Sequence, residues 1–361
     1  MNRYGIAAAF GLLLLLITIG LAEAQEKSVV KSGNCEDAPR KIPMRIIPTP
    51  LDVSPELRKV IACPLTSLVD VSPKTSKEWH DLVSKKSALD LPIIKKLQDL
   101  FPVNIKIEIL DGVKTFTVTP EKILEDNKNR VLMHLHGGGY VFNPGKTGLG
   151  EAILMAYYGK IKVISVDYRM APDFPFPAAL DDTVTVYKQI LKSYKATNIG
   201  VFGTSSGGAL TAATVLKLRE IGVSLPGAVS LGTPWVDLTQ TGDSLFTNEY
   251  IDDVIVKYNG MLEACAKVYA GAHDMKDPFV SPLYADFSKG FPPAILTTGT
   301  RDLLLSDTVR LHRKLRQAGI DTELQVFEGM SHAQYILVFN SPESKEAFEE
   351  IAKFFRGHLS H

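Results

Sequence analysis

A serine placed between glycines is the first candidate for chemistry in this chain. Ser205 lies in Gly203-Thr204-Ser205-Ser206-Gly207-Gly208, directly after the strand-like run 199–202. The glycines allow a sharp turn from a strand into a helix, and such a turn exposes the serine hydroxyl. The following helix directs its N-terminal N–H groups at the same point, where they stabilise negative charge. We therefore predict that Ser205 is a nucleophile.

Two residues further along the chain could activate this serine. His332 and Asp302 each follow a strand-like run. His332 would take up the serine proton, and Asp302 would hold the imidazole tautomer and stabilise the imidazolium. The alternatives are that His332 is an ordinary loop histidine and that Asp302 only caps the next helix. Asp307 is the competing acid, but it falls inside a predicted helix and not at a strand end.

A glycine-rich turn follows the third predicted strand. It reads His136-Gly137-Gly138-Gly139-Tyr140. Glycine-rich turns also cradle phosphate, but this one lacks the Gly-Lys-Ser/Thr ending of such loops. Backbone without side chains suits an oxyanion hole beside a nucleophile. We predict that the N–H groups of Gly137, Gly138 and Ser206 bind the oxyanion of the tetrahedral intermediate.

The sequence contains no motif that is typical of metal or cofactor binding. There is no His-Glu-x-x-His, no Cys-x-x-Cys and no acidic cluster at ligand spacing. We therefore expect an enzyme that needs neither a metal nor a cofactor.

The elements that must position these residues are eight strand-like runs that alternate with helical patterns. Several runs are apolar on both alternating faces, which is typical of a sheet covered on both sides. The alternation predicts an α/β fold with a mostly parallel sheet, helices on both faces and right-handed crossovers. A short turn at Asp111-Gly112 predicts that an antiparallel hairpin opens the sheet. The runs are 104–110, 114–119, 130–136, 161–167, 199–203, 227–232, 294–299 and 322–327.

Two segments break this alternation. Residues 25–103 carry helix-like patterns at 76–89 and 91–100, and residues 237–292 carry one at 254–270. Ligands of open α/β sheets bind beyond the carboxyl ends of the strands, and both segments could cover that edge. We predict an N-terminal helical cap segment at 25–103 and a catalytic domain at 104–361, with 237–292 as a cap or lid. A plain surface insertion is the alternative.

Composition excludes several classes of protein. The chain has 361 residues, and 40 Lys plus Arg balance 40 Asp plus Glu. This neutrality argues against nucleic acid as a partner, because neutralising phosphates requires a basic surplus. A mean hydropathy of +0.06 with 12 Tyr and 16 Phe excludes disorder.

The N-terminus is typical of an exported protein. Arg3 precedes the apolar stretch 6–22, and Ala22-Glu23-Ala24 resembles a signal-peptidase site. We predict that residues 1–24 are a signal peptide and that the protein is secreted or periplasmic, without stable membrane association after cleavage. An uncleaved N-terminal membrane anchor is the alternative. Neutrality gives no electrostatic reason for binding anionic membranes.

The three cysteines are Cys35, Cys63 and Cys265. An exported protein can keep disulfides, and Cys35 with Cys63 is a candidate pair. An odd count leaves one thiol over. Cys265 lies in a mostly apolar, helix-like stretch, so we expect it to be buried.

Together these motifs resemble the hormone-sensitive-lipase group of α/β-hydrolases, the bacterial family IV carboxylesterases related to arylacetamide deacetylases. The resemblance spans roughly residues 100–357. Its elements are the glycine-rich turn at 136–140, Asp167-Tyr168-Arg169-Met170-Ala171-Pro172-Asp173, the nucleophile motif at 203–207, and the acid and base motifs at 299–307 and 329–332.

Two positions depart from the common pattern of this group. Thr204 stands where many members have Asp, which resembles the GTSAG-type subgroup, and Ser206 stands where Ala is usual. Residues 301–307 are also similar to monoterpene ε-lactone hydrolases. Relatives of this group carry a helical cap over the active site, and they often dimerise.

The resemblance implies a serine carboxylesterase that hydrolyses short-chain or small aryl esters. A lactone hydrolase with the same triad is the first alternative, and an amidase is another. Some members have lost the base and become hormone receptors, but His332 is present here. We predict that Tyr140, Trp235 and Phe246 form the pocket walls, with ordinary packing as the alternative for each.

Overall fold

The computed structural model describes Pro39, residues 42–63, Leu65 and residues 70–360. The predicted signal peptide at 1–24 and Cys35 lie outside the described residues. The chain divides into two units, Met1–Ile47 and Pro48–His361. In the first unit, the described residues 42–47 form neither helix nor strand. The described helices and strands belong to the second unit.

The second unit is built on an eight-stranded sheet. Its strands are β1 (Val103–Leu110), β2 (Val113–Pro120), β3 (Val131–Leu135), β4 (Lys162–Val166), β5 (Ile199–Thr204), β6 (Ala228–Gly232), β7 (Ala294–Gly299) and β8 (Thr322–Phe327). Their order is β1-β2-β4-β3-β5-β6-β7-β8. The pairs β1–β2 and β2–β4 are antiparallel, and all other neighbours are parallel. The predicted mostly parallel sheet with an opening hairpin is confirmed.

Ten α-helices are described around this sheet. They are α1 (Pro55–Ile61), α2 (Ser76–Leu100), α3 (Gly150–Gly159), α4 (Ala178–Ile190), α5 (Ser206–Glu220), α6 (Ser244–Thr247), α7 (Glu263–Ala270), α8 (Leu305–Gln317), α9 (Gln334–Leu337) and α10 (Pro342–His358).

Alternate residues of the central strands enter two separate cores. In β3, Val131 and Met133 join the core that contains residues of α4, α5 and α8, whereas Leu132 joins the core that contains residues of α3 and α10. Successive side chains of a strand point to opposite faces of the sheet. The helices therefore cover both faces, as the apolar runs predict.

Two helical patterns in the sequence differ from the structure. The stretches 76–89 and 91–100 form one helix, α2, which begins with a capping box between Thr75 and Glu78 and continues through Pro92. The pattern at 254–270 yields a helix only from Glu263. An irregular turn precedes it, in which Gly260 has φ 110° and ψ −118°. A backbone conformation reserved for glycine cannot be part of a regular helix.

Candidate active site

Ser205 lies at the turn where β5 ends and α5 begins. Its φ of 62° and ψ of −125° lie outside the regions that side chains favour, and such strain is typical of a nucleophile turn. Glycines make the turn possible: a Cβ at Gly203 would lie 2.2 Å from the Leu135 carbonyl oxygen, and a Cβ at Gly207 would lie 1.9 Å from it. The glycine pattern therefore reflects close backbone packing against β3.

Asp302 and His332 meet after β7 and β8. His332 Nδ1 lies 3.1 Å from Asp302 Oδ1. Asp302 is fully buried, and it also accepts hydrogen bonds from Thr298 Oγ1 at 2.7 Å and from the Leu304 N–H at 2.9 Å. Both carboxylate oxygens are thus satisfied, and the structure brings together the predicted acid and base.

The charge of this pair favours a basic imidazole. Burial alone would lower the pKa of His332, but the Asp302 hydrogen bond and the charges of Asp302 and Asp252 outweigh it, so the pKa is raised. An imidazolium is the species that forms when a serine is deprotonated, and the buried carboxylate stabilises it.

Ser205 and His332 line the same cavity. Within the described part of the chain, no hydrogen bond joins the Ser205 hydroxyl to His332. Such bonds are often long in unliganded enzymes and tighten when substrate binds.

Asp307, the competing acid, does not contact His332. It is buried, accepts a hydrogen bond from the Asp237 N–H at 2.9 Å, and lies inside α8. Burial, and then the charge of Asp237, raise its pKa well above the usual range. Asp302 is therefore the carboxylate that the geometry favours.

The predicted oxyanion donors lie beside the serine. A Cβ at Gly137 would lie 3.3 Å from Ser205 Cβ, so this backbone directly faces the nucleophile. Gly138 has φ +123°, and a Cβ there would lie 2.6 Å from the Phe142 carbonyl oxygen. Among the described residues, the N–H groups of Gly137, Gly138 and Ser206 have no acceptor. Three free N–H donors near a serine hydroxyl can bind an oxyanion.

Side chains hold this glycine-rich turn in place. Asn143 Nδ2 donates to the Gly137 carbonyl at 2.9 Å, and the Tyr140 N–H donates to Ser206 Oγ at 3.3 Å. His136 stacks on Tyr168 with 4.3 Å between ring centroids. Burial lowers the pKa of His136 to about 4, so its ring is neutral at physiological pH. The Ser206 hydroxyl, which accepts the hydrogen bond from the Tyr140 N–H, makes a contact that an alanine could not make.

The cavity beside Ser205 has a volume of about 560 Å³. Charged residues Lys86 and Asp90 of α2 form an ion pair on its wall, with 2.5 Å between Nζ and Oδ2. Most other wall side chains are apolar. They are Ile93, Ile94 and Leu97 of α2, Phe142, Val254, Ile255, Met261, Leu262, Cys265, Ala333, Ile336, Leu337 and Phe339.

The predicted pocket walls Tyr140, Trp235 and Phe246 do not line this cavity, which corrects the sequence interpretation. Tyr140 and Trp235 are buried, and Tyr140 stacks on Tyr269 with 3.5 Å between ring centroids. Phe246 lies on the surface helix α6 and is 59% exposed. Two of these aromatic residues therefore belong to the core and the third to the surface. The position of a residue in the sequence does not show in which direction its side chain points.

Two groups of polar residues were missed by the sequence analysis. The first lies on the same cavity as Ser205: Thr204 Oγ1 donates to Glu151 at 2.7 Å and hydrogen-bonds Tyr335, and His134 Nε2 lies 3.1 Å from Glu151. The second contains Asp252, which contacts the backbone of His332. Buried polar residues between apolar ones in the sequence would have been the only indication of either group.

Two of the three cysteines, Cys63 and Cys265, lie in the described part of the chain. Cys265 is buried in the cavity wall, and burial raises the pKa of its thiol to about 12. Cys63 is a free, exposed thiol.

The described residues contain no group of three or more His, Cys, Asp or Glu side chains arranged to hold a metal ion. Among the same residues, no helix has both the length and the apolar character needed to cross a bilayer.

Comparisons with known sequences place the chain in a family. A family model described as "alpha/beta hydrolase fold" matches residues 132–336. An esterase of Acinetobacter venetianus is 31% identical over 269 residues, which cover 73% of this chain and 86% of the relative. An acetyl-hydrolase of Streptomyces hygroscopicus is 28% identical over 228 residues, which cover 63% and 75% of the two chains.

Solved structures support the same family assignment. The crystal structure of an esterase called E25 is 40% identical and superposes with a TM-score of 0.86 over 89% of this chain and 99% of that one. An esterase from the bacterial hormone-sensitive lipase family is 30% identical, with a TM-score of 0.71 over 85% and 99% of the two chains. The chain therefore belongs to the α/β-hydrolase fold family, among the hormone-sensitive-lipase-like esterases, and is a carboxylic ester hydrolase.

Proposed function

We propose that the protein hydrolyses carboxylic esters through an acyl-enzyme on Ser205. The observation that carries this proposal is the buried Asp302–His332 pair, with 3.1 Å between its hydrogen-bonded atoms, on the cavity that also contains Ser205. A base oriented by a carboxylate is what a serine hydroxyl needs in order to react at neutral pH.

The proposed reaction has two halves. Ser205 Oγ bonds to the ester carbonyl carbon while His332 takes the hydroxyl proton, and the carbonyl electrons move to an oxyanion held by the N–H groups of Gly137, Gly138 and Ser206. The intermediate collapses, the alcohol oxygen leaves with the proton from His332, and the acyl group remains on Ser205. Water then bonds to the acyl carbon while His332 takes its proton, the bond from that carbon to Ser205 Oγ breaks, and His332 returns the proton to Ser205 Oγ as the carboxylic acid is released.

The size and lining of the cavity favour small, apolar substrates. Its volume of about 560 Å³ lies within the range of small-molecule pockets, and its walls are mostly apolar. We therefore propose short-chain acyl esters and small aryl esters as the substrate class.

The test is a hydrolysis panel on the purified protein and on Ser205→Ala. The panel contains p-nitrophenyl esters from acetyl to palmitoyl, together with lactones. We expect the wild type to favour short acyl chains and Ser205→Ala to lose about 10⁵–10⁶-fold in kcat, as expected when a nucleophile is removed. Turnover by Ser205→Ala at the wild-type rate would refute the acyl-enzyme, and a preference for lactones would replace the proposed substrate class.

A further inference from the structure

A buried carboxylate outside the triad contacts three separate parts of the site. Asp252 is fully buried. Its Oδ2 accepts hydrogen bonds from the N–H groups of Leu303 at 2.7 Å and His332 at 3.1 Å. Its Oδ1 accepts from the N–H groups of Val254 at 2.8 Å and Ile255 at 3.0 Å. One carboxylate therefore satisfies four backbone donors.

These four donors belong to parts of the site with different tasks. Leu303 directly follows the acid Asp302, and His332 is the base itself. Val254 and Ile255 line the cavity. We propose that the ionised side chain of Asp252 is a positioning residue, which holds the acid loop, the base loop and this cavity wall in the arrangement that the reaction requires. The inference rests on the esterase function proposed above.

The surrounding stretch strengthens this connection. Asn248 Nδ2 donates to the Asp302 carbonyl at 2.8 Å, and the Asp253 side chain accepts from Gln334 Nε2 at 2.8 and 2.9 Å. The stretch that carries Asp252 thus contacts the acid loop and the segment after His332 through other residues as well. Asp252 differs from these neighbours because it alone, among the three, hydrogen-bonds the base residue.

The chemistry of the site requires a carboxylate at this position. An ionised carboxylate only accepts hydrogen bonds, whereas an amide has one accepting oxygen and one donating nitrogen. An asparagine would turn its NH₂ group toward two of the N–H donors, and those buried donors would lose their acceptor. An Asp252→Asn variant therefore keeps the size of the side chain and breaks half of its contacts.

The charge of Asp252 also acts on the base. Its pKa is raised to about 6 by burial and then by the charge of Asp302, against the effect of His332 and of the N–H groups of Leu303 and Ile255. Asp253 and Arg301 are the neighbouring charged groups on the same segment and the acid loop. Above that pH, Asp252 carries a negative charge that favours the imidazolium of His332.

The experiment compares the full-length protein with Asp252→Asn and with Asp243→Asn. Asp243 is an exposed carboxylate on the same segment, and its side chain makes no capping hydrogen bond. The measurements are kcat and KM for p-nitrophenyl acetate from pH 5 to 9 and the thermal unfolding midpoint. We expect Asp252→Asn to lose about 10²-fold in kcat, because small displacements of catalytic groups cost this much, with KM changed less than about threefold.

The pH profile separates positioning with charge from a structural role. Because His332 loses a nearby negative charge, the acid limb of kcat/KM should move to lower pH by about one unit in Asp252→Asn. Asp243→Asn should match the wild type. Wild-type kcat in Asp252→Asn would overturn the inference, and so would a loss of rate with an unmoved acid limb.

Asp252→Glu is the second variant if Asp252→Asn does not fold. It keeps the charge and the two accepting oxygens but displaces them by one methylene group, so kcat should fall while the acid limb of kcat/KM stays near its wild-type pH. Wild-type kcat in Asp252→Glu would overturn the inference. A wild type without any Ser205-dependent turnover would instead refute the proposed function, and this inference with it.

Discussion

Ser205, Asp302 and His332 lie on turns that follow strands, whereas part of the wall of the cavity beside them comes from α2 and from residues 254–265, which belong to no strand. The first region is held by backbone contacts and buried hydrogen bonds, and the second mostly by apolar side chains. Apolar side chains can be exchanged at moderate cost if volume is kept, whereas buried polar contacts cannot. The reactive groups and the cavity wall therefore lie in parts of the molecule that differ in their tolerance to substitution.

Among the variants that test this difference between the two regions, the largest effect should distinguish two buried aspartates five positions apart. Asp302→Asn should lower kcat about 10⁴-fold, because an amide no longer holds the imidazole tautomer. Asp307→Asn is the matched control, and it should keep kcat within about threefold, because Asp307 has a strongly raised pKa and does not touch His332. Steady-state kinetics with p-nitrophenyl acetate measures both. Equal losses in the two variants would contradict Asp302 as the acid.

A smaller effect is expected from the backbone of the glycine-rich turn. A Cβ at Gly138 would meet the Phe142 carbonyl oxygen at 2.6 Å and Asn143 Nδ2 at 2.9 Å, so Gly138→Ala must displace the N–H donors. We expect kcat to fall about 10²–10³-fold, the usual loss for an oxyanion donor.

The control for this change is Gly112→Ala in the β1–β2 turn. Gly112 also has a positive φ, +84°, but a Cβ there has no neighbour within 4 Å. Its variant should lose some thermal stability and keep its kcat. If both variants lost the same activity, backbone strain and not the position of the donors would be responsible.

The smallest effect should come from the cavity wall. A methyl group at Gly150 would lie 3.4 Å from Ile94 Cδ1 and 3.9 Å from Ile336 Cγ2, which is ordinary contact. Gly150→Ala therefore fits and narrows the cavity. We expect kcat/KM for the octanoyl ester to fall about tenfold relative to the acetyl ester, the lower end of the effect that one methylene group has in an apolar pocket.

Gly357→Ala in α10 is the matched helix control, since a Cβ there has no neighbour within 4 Å. The ratio of octanoyl to acetyl turnover should remain at the wild-type value in this variant. An unchanged ratio in Gly150→Ala as well would show that acyl chains do not reach this part of the cavity.

The two regions also differ in how well the sequence predicts them. All eight strands were predicted to within two residues, because strands buried on both faces produce apolar runs that end at turn residues. The proximity of Asp302 and His332 was predicted for a related reason: parallel strands bring their carboxyl ends to one edge of the sheet.

The cavity wall and Asp252 could not be predicted in this way. The partners of Asp252 at Leu303 and His332 are 51 and 80 residues away, and they are backbone N–H groups, which every non-proline residue has. The composition of the cavity wall depends on the direction in which side chains point, and some of these side chains come from segments without a regular hydrophobic period. Pro92 suggests a break in the helix pattern, yet α2 continues through it. Tertiary contacts decide these features, and local sequence does not contain them.

Few residues of α2 are buried, and this affects how readily the helix opens locally. This helix has 25 residues, but only Trp79 and Leu97 are buried, whereas every residue of β5 is buried. Segments with few buried contacts open locally at a lower free-energy cost than the global unfolding of the domain. Amide hydrogens of α2 should therefore exchange with solvent through local opening while those of β5 stay protected. Because Ile93, Ile94 and Leu97 line the cavity, such an opening would also widen it.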